Sequence, residues 1–240
     1  MKNLISRIGH YVDIGGDKFN PLDKLNHRIE TRRPGEDIVR VGEKVDSVFV
    51  IESGWAIRFR ILDDGRRQIL NFMLPGDCFD MMAMVKAKSD HAVSAVTQVI
   101  LRRISSSDFL SAMSQNASLA TAFWWVGVQE EAILREQIIR IGRRSAKERV
   151  AHLLLELNRR LAAVEGRESD TINLPIPQAL LADSLGLSIV HISRTLSKLR
   201  AAGYISTNPS GVDILDRKGM AEMADFDSHY LHLDKLKLSA

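Results

Sequence analysis

The sequence predicts an α+β protein with three parts: a strand-rich first half, one long helix, and a C-terminal module of short helices followed by two strands. Three observations support this prediction. Residues 38–104 consist of short β-branched and aromatic runs separated by turn residues. From Asn116 onward the apolar residues recur at helical spacing, and after residue 174 two short helical segments precede another pair of strand-like runs. We therefore expect a β-rich domain joined by a helix to a smaller helical domain.

The first part has the pattern of a small antiparallel β roll. Asp64-Gly65 lies between two β-forming runs, which is a strong hairpin signal because a type I′ turn needs positive φ at both central positions. Further turns are expected at Ser53-Gly54 and Pro75-Gly76. Between the turns at Ser53-Gly54 and Asp64-Gly65, polar and apolar residues alternate. This alternation predicts one strand face buried in the core and one in solvent: the buried face is Trp55, Ile57, Phe59 and Ile61, and the solvent face is Ala56, Arg58 and Arg60.

The middle part predicts a helix over residues 117–141, followed after a joint at Gly142 by a second amphipathic helix over 143–164. The first would have about 25 residues and a length of ~35 to 40 Å. Helices of globular proteins typically have ~11 residues. The apolar positions of the first helix are Leu119, Phe123, Val126, Ile133, Ile138 and Ile141. Because an apolar stripe remains after packing on the roll, we favour a dimerisation helix over an ordinary core helix.

The C-terminal part has the spacing of a winged helix-turn-helix. The segments "QALLADSLG" and "SIVHISRTLSKLRAAG" are two short helices with Gly186 at the turn, and "YISTNPSGVDILD" is a strand–turn–strand wing. Ser188 is expected to cap the second helix. Ile192, Leu196 and Leu199 recur at helical spacing and are expected to face the first helix.

The outward face of that second helix is the candidate DNA-binding site. Its residues are Ile189, Val190, His191, Ser193, Arg194, Ser197 and Lys198. In a major groove, arginine makes paired hydrogen bonds to guanine, and valine or isoleucine contacts a thymine methyl group. A solvated face with stray apolar residues is the alternative. Charge agrees with the DNA reading, because residues 140–204 hold eleven basic and six acidic residues, a net +5, so the rest contributes −2 to the overall +3.

Over nearly its whole length, the sequence resembles the Crp/Fnr family of bacterial transcription regulators. The resemblance rests on "LPGD" (74–77) late in the roll, the long helix, and "LPIPQALLADSLGLSIVHISRTLSKLRAAGYI" (174–205). Fnr-like members carry Glu, two residues, then Ser-Arg in the recognition helix. Ser193-Arg194 match the Ser-Arg of this pattern, but Val190 occupies the position of the glutamate. The pair Val190-His191 resembles a proteobacterial subgroup of the family, in the Fnr/FixK-like branch. We expect thymine or a relaxed preference opposite Val190.

The resemblance implies a cyclic-nucleotide-binding-like jelly roll over 1–115, a dimerisation helix over 116–142 and a winged helix-turn-helix DNA-binding domain over 143–240. It also implies a homodimer on palindromic double-stranded DNA, with RNA polymerase as a further partner. The alternatives are a cyclic-nucleotide-responsive regulator with a different pocket, and a ligand-binding or interaction module whose DNA-binding domain is degenerate.

The roll departs from the family members that bind cyclic nucleotides. Those carry Gly-Glu after "PGD" and an Arg-Ser or Arg-Thr pair further on. Asp80 and Met81 stand at the first pair, Ser89-Asp90 at the second, and no arginine lies between Arg67 and Arg102. A buried phosphate without a cation is unfavourable, so cyclic AMP is not the expected effector. The effector itself stays unassigned.

Metal and redox cofactors also find little support in the sequence. Cys78 is the lone cysteine and cannot ligate the four-thiolate iron–sulfur cluster of the oxygen-sensing branch. We expect it to be a buried inert thiol rather than a redox switch. His10, His27 and His91 are compatible with a haem ligand, although surface or hydrogen-bonded histidines fit them better. No metal site is predicted.

Catalysis and membrane insertion are not expected. "SDH" (89–91) contains triad residue types, but strand neighbours point to opposite faces and would not form a relay. The sequence has no phosphate-binding loop, H-E-x-x-H motif or nucleophile elbow. It also has no apolar run of the roughly 18 to 20 residues that span a bilayer and no secretory signal pattern. We expect a cytoplasmic protein that is not an enzyme.

Overall fold

The computed structural model describes residues 2–9, 25–166, 169–172, 174–208 and 211–233. The chain forms two compact units. One unit is drawn from Met1–Arg58, Phe72–Glu131 and His232–Ala240, and the other from Phe59–Asn71 and Ala132–Leu231. The segment Phe59–Asn71 therefore groups with the C-terminal residues rather than with the strands that flank it in sequence.

The N-terminal half of the chain forms the predicted β roll, although residues 59–71 of its strands group with the second unit. Its two four-stranded sheets have the strand orders β1-β8-β3-β6 and β2-β7-β4-β5. The strands are β1 (Arg28–Arg32), β2 (Asp37–Val39), β3 (Ser47–Ser53), β4 (Ala56–Ile61), β5 (Arg67–Met73), β6 (Cys78–Phe79), β7 (Ala92–Ala95) and β8 (Val99–Ser105). Two helices that the sequence patterns did not reveal, α1 (Lys2–Ile8) and α2 (Ser106–Gln115), precede and follow these strands.

Strand β3 lies at the centre of the roll because it pairs with both β6 and β8. Val48, Val50 and Ile51 are fully buried on it, and the ring of Phe49 stacks on Phe79 at a centroid distance of 5.3 Å. At the end of β3 a Cβ on Gly54 would lie 2.1 Å from the carbonyl oxygen of Gln98. Only glycine allows this close approach of two backbones, so the predicted turn at this position has a steric reason.

The predicted alternation along β4 is wrong in part. Trp55, Ile57 and Phe59 are buried as expected, but Ala56 and Arg58 are buried as well, and Ile61 is 58% exposed. Arg58 tolerates burial because its Nη1 donates to Glu130 Oε1 at 2.8 Å. Both faces of the strand are therefore covered over its first residues, and only its distal end is in solvent.

Two long helices follow the roll, and the joint between them lies later than predicted. Helix α3 spans Ala117–Arg143 and runs through Gly142, and helix α4 spans Ala146–Glu165. Ser145 caps α4 in a capping box with Glu148, which satisfies backbone donors at the start of the helix. The capping signal, rather than the glycine, therefore sets the boundary. Of the apolar positions predicted on α3, Leu119, Phe123, Val126 and Ile133 are buried, whereas Ile138 is 68% exposed.

The second unit has the predicted winged helix-turn-helix order. Helix α5 (Gln178–Leu185) and helix α6 (Ile189–Ala201) precede a three-stranded sheet with the order β10-β11-β9. The strands are β9 (Thr171–Ile172), β10 (Ile205–Asn208) and β11 (Gly211–Ile214). Helix α7 (Arg217–Ala224) and a 3-10 turn at Ser228–Leu231 end the described part of the unit. Among the described residues between α4 and α5, Thr171–Ile172 form the short strand β9.

A network of buried charged and polar side chains lies between α3, α4 and the 3-10 turn. Arg140 is 1% exposed and pairs with Glu156, which is also 1% exposed. Glu156 accepts a further hydrogen bond from the Tyr230 hydroxyl at 2.8 Å. Breaking such a pair would leave an uncompensated buried charge. The network therefore fixes how the C-terminal end of α3 packs on α4.

His152 takes part in this network as a neutral group. It is 1% exposed, its Nδ1 accepts a hydrogen bond from Arg140 Nη2 at 3.1 Å, and its ring meets Phe226 edge-on at 4.9 Å. Burial, and then the positive charges of Arg140 and Arg144, lower the pKa of His152 to about 2. The folded protein therefore excludes a proton that the unfolded chain accepts below a pKa of about 6.5.

This difference predicts a pH dependence of stability. As the pH falls below about 6.5, His152 should reduce the free energy of unfolding by up to ~1.4 kcal/mol per pH unit. His152→Gln keeps a hydrogen-bond acceptor and removes the titration, so urea denaturation between about pH 5 and pH 7 should show a shallower slope. His191→Gln, at an exposed histidine in the first turn of α6, should leave the slope unchanged. Equal slopes for all three proteins would refute the assignment.

Candidate nucleic-acid interface

Helix α6 is held by a short turn after α5. Gly186 ends α5 in the left-handed conformation with φ 63°, where glycine carries no Cβ penalty. Ser188 then begins α6, and its side chain accepts a hydrogen bond from the backbone nitrogen of His191 at 3.2 Å. The capping prediction is confirmed. The turn therefore fixes both the end of the first helix and the start of the second.

Helix α6 has two distinct faces. Ile192, Leu196 and Leu199 are at most 6% exposed and form the inward stripe that the sequence predicts. Thr195 is buried beside them at 3% exposure. All seven predicted DNA-facing residues are exposed, namely Ile189, Val190, His191, Ser193, Arg194, Ser197 and Lys198. Ile189 is 53% and Val190 58% exposed, so packing within the chain does not account for these two apolar side chains.

The exposed polar residues differ in what they already bind. Within the described residues, neither the side chain of Arg194 nor that of Lys198 makes a hydrogen bond or an ion pair, and both extend from α6 into solvent. Ser197 is engaged, because its hydroxyl donates to the carbonyl oxygen of Ser193 at 3.0 Å and accepts from Arg200. Arg194 and Lys198 are thus the side chains of this face with cationic groups to offer a ligand.

Arg200 is a further exposed basic residue of α6 that the sequence pattern did not bring into the candidate site. It is exposed near the end of α6, and its Nη1 donates to Thr207 Oγ1 on β10 at 3.1 Å. Through this bond the end of α6 is tied to the first strand of the wing. The basic residue in the last turn of the helix was the signal available in the sequence, but its spacing alone did not indicate the contact with the wing.

The charge excess of residues 140–204 is only partly a surface property. Arg140 and Arg160 are buried at 1% and 6% exposure, and both pair with Glu156. Arg144 donates to the carbonyl oxygen of Ala224 and Arg149 to that of Leu185. These four arginines hold the fold together, so the sequence-based charge count overestimates the positive surface.

In the roll, the positions that depart from the nucleotide-binding pattern form a closed acidic cluster with His91. Asp80 is 4% exposed and adopts the left-handed conformation with φ 62°. Its Oδ1 lies 2.9 Å from His91 Nε2, and Asp90 Oδ1 lies 2.8 Å from His91 Nδ1. Burial alone would lower the pKa of His91, but the hydrogen bonds to Asp80 and Asp90 outweigh burial and raise it.

The expectation that Asp90 and His91 point to opposite faces is therefore wrong. Both lie in a bend before β7 rather than within a strand, which lets the two side chains meet. Ser89 does not complete a triad, because its hydroxyl donates to the carbonyl oxygen of His91 and both ring nitrogens of His91 face carboxylates. The cluster orients a histidine but activates no nucleophile.

The remaining cofactor candidates are also engaged or buried. Cys78 is 1% exposed, and burial, with the negative charge of Glu130 next, raises the pKa of its thiol. His27 contacts the carbonyl oxygen of Leu25 at 2.8 Å and also Arg102, and His10 lies outside the described residues. Within the described part of the chain no three His, Cys, Asp or Glu side chains are grouped to hold a metal ion. None of its helices is long and apolar enough to cross a membrane.

Comparison with known families matches both halves of the chain. The family model described as Crp-like helix-turn-helix domain matches residues 148–223. The model described as cyclic nucleotide-binding domain matches residues 29–116. The two matches cover the winged helix-turn-helix and most of the roll.

Curated relatives and a solved structure resemble most of the chain. The transcriptional activatory protein AadR of Rhodopseudomonas palustris is 32% identical over 80% of this chain and 79% of its own length. The nitrogen fixation regulation protein FixK of Bradyrhizobium diazoefficiens is 32% identical over 76% of each chain. The structure of FixK2 from Bradyrhizobium japonicum superimposes with a TM-score of 0.74 at 27% identity, covering 83% of this chain and 98% of that one.

We expect micromolar cyclic AMP neither to bind this protein nor to change its affinity for DNA. Asp80 and His91 occupy one another, and a cyclic phosphate placed beside Asp80 would meet a carboxylate instead of the cation that phosphate recognition requires. Isothermal titration calorimetry with cyclic AMP, with the same ligand injected into buffer as the control, measures this directly. Saturable heat in the micromolar range would contradict the expectation.

Proposed function

The chain belongs to the Crp/Fnr family of DNA-binding transcription regulators, and from that premise we propose that it binds two-fold symmetric DNA as a homodimer, with α6 of each protomer in a major groove. Like these relatives, it is a transcription regulator and not an enzyme. Helix α6 would present its first turns to base edges and its later basic residues to phosphates.

The exposed face of α6 is the observation that carries this proposal. The seven predicted residues share one face, and the opposite face is buried, so the helix can insert without rearranging its own packing. Arg194 has the geometry for paired hydrogen bonds to guanine, and Ile189 and Val190 can contact thymine methyl groups. Burial of these exposed apolar side chains against the groove would give them the contacts they lack in the free protein.

The dimer is supported by exposed apolar side chains on one face of α3. Trp124 is 62% and Ile138 68% exposed, and they lie two heptads apart along the helix. Val128, Glu131 and Arg135 fall between them at alternating spacings of four and three residues, which is the spacing of a two-stranded coiled coil, although two of these positions are charged. We propose that this face pairs with its copy and sets the two α6 helices about one helical turn of DNA apart, ~34 Å.

The proposed domain organisation follows from these roles. We propose the roll over 1–115 as the sensor, residues 116–142 as the dimerisation helix, and residues 143–240 as the DNA-binding domain. RNA polymerase is proposed as the second macromolecular partner, since the relatives include proteins named as transcriptional activators.

Two substitutions on α6 separate base reading from phosphate binding. Arg194→Ala should weaken binding to the specific site by ~1 to 3 kcal/mol and change binding to random DNA little, because it removes one base-reading pair. Lys198→Ala should weaken both and lower the slope of log K against log salt by about one. Fluorescence anisotropy on a selected site and on a scrambled duplex at several salt concentrations gives both quantities.

Each variant is the control for the other, since each removes one exposed positive charge from the same helix. An equal loss on both duplexes for Arg194→Ala would make Arg194 a phosphate contact. An unchanged salt slope for Lys198→Ala would place Lys198 outside the phosphate footprint.

A further inference from the structure

The C-terminal end of α5 is held by side chains from three other elements of the second unit. Helices leave their last carbonyl groups without partners inside the helix. The nitrogens of Gly186 and Leu187 satisfy the carbonyl oxygen of Ala182. The carbonyl oxygens of Ser184 and Leu185 receive side-chain donors instead. The donors come from the β4–β5 hairpin, α3 and α4.

Each donor is placed by a different segment of the chain. Gln137 on α3 donates to the carbonyl oxygen of Ser184 at 2.6 Å, and Gln68 on the hairpin donates to the same oxygen at 3.3 Å. Arg149 on α4 donates to the carbonyl oxygen of Leu185 at 3.0 Å. The last carbonyl groups of α5, just before the turn into α6, are therefore hydrogen-bonded to side chains from three different elements.

The hairpin adds an ion pair to this anchor. Arg67 Nε donates to Asp183 Oδ2 at 2.8 Å, and the two side chains are about one-third exposed. Asp183 lies in the last turn of α5, where a negative charge is unfavourable because the helix dipole is also negative there. A positive partner offsets this cost. The guanidinium of Arg67 is itself held over the ring of Phe59 at 5.7 Å, which limits its freedom.

We propose that Arg67 and Asp183 are positioning residues for DNA binding: the β4–β5 hairpin holds the end of α5 and thereby sets the orientation of α6. Neither residue lies on the outward face of α6. The proposal deepens the proposed function and rests on it.

The physical consequence is a loss of preorganisation. A recognition helix that samples several orientations must be ordered on binding, and that ordering lowers affinity. An ion pair at this exposure contributes little to stability. The effect of breaking it should therefore be larger on specific DNA affinity than on folding.

The test is a charge-exchange cycle read by affinity for a selected DNA site. Arg67→Glu and Asp183→Arg should each weaken specific binding by about tenfold, and the double variant Arg67→Glu/Asp183→Arg should return within about twofold of the parent. Asp183→Arg is the decisive single change. It adds positive charge to a DNA-binding domain, so electrostatics alone predicts tighter binding, whereas loss of position predicts weaker binding.

The matched control is Arg66→Glu. Arg66 is the neighbouring hairpin residue, its side chain is 78% exposed, and it pairs within the hairpin with Asp64 at 2.7 Å. It makes the same charge change without touching α5, so specific affinity should move by less than about twofold. If Arg67→Glu destabilises the fold, Arg67→Gln replaces it in the cycle.

A second readout needs no DNA. Hydrogen exchange of the backbone amides at 184–188 should rise by about tenfold in either single variant and return in the double variant. Tighter binding by Asp183→Arg, additive losses in the double variant, or unchanged exchange would each overturn the positioning role. Absence of specific DNA binding by the parent protein would overturn the proposed function instead, while the exchange measurement would still decide the contact.

Discussion

The burial of one apolar stripe on α6 is the constraint on which the proposed DNA-binding site depends. Ile192, Leu196 and Leu199 pack inward, and a helix with one buried stripe has no choice about which residues it leaves in solvent. The Ser188 cap fixes where that helix begins, and the ties from α5 and the wing fix how it is held. The same residues that fold the module therefore decide which side chains of α6 are available to the proposed DNA site.

Buried charge has a structural function elsewhere in the second unit. Arg140, His152 and Glu156 are each 1% exposed, and together they specify how α3 packs on α4. Ion pairs of this kind add little net stability but are costly to break. This buried charged network therefore favours one packing arrangement of α3 on α4 over others.

The sequence was sufficient for the order of the elements and for the outward face of α6, because periodicity and capping are local properties. It was insufficient where long-range pairing decides the outcome. Arg58 was expected in solvent and is buried because Glu130 pairs with it. Asp90 and His91 were expected on opposite faces, and a bend brings them together. The anchoring of α5 by Arg67 had no local signal, since its partner Asp183 is 116 residues away.

The central claim, that the exposed first turn of α6 reads base edges, is tested most directly by selection from random oligonucleotides with the parent protein and with Val190→Glu. Valine packs against a thymine methyl group, whereas glutamate accepts a hydrogen bond from cytosine. We predict that the variant shifts one position in each half-site toward G·C and keeps the guanine read by Arg194. Identical selected motifs from the two proteins would contradict the claim, because Val190 would then not reach a base.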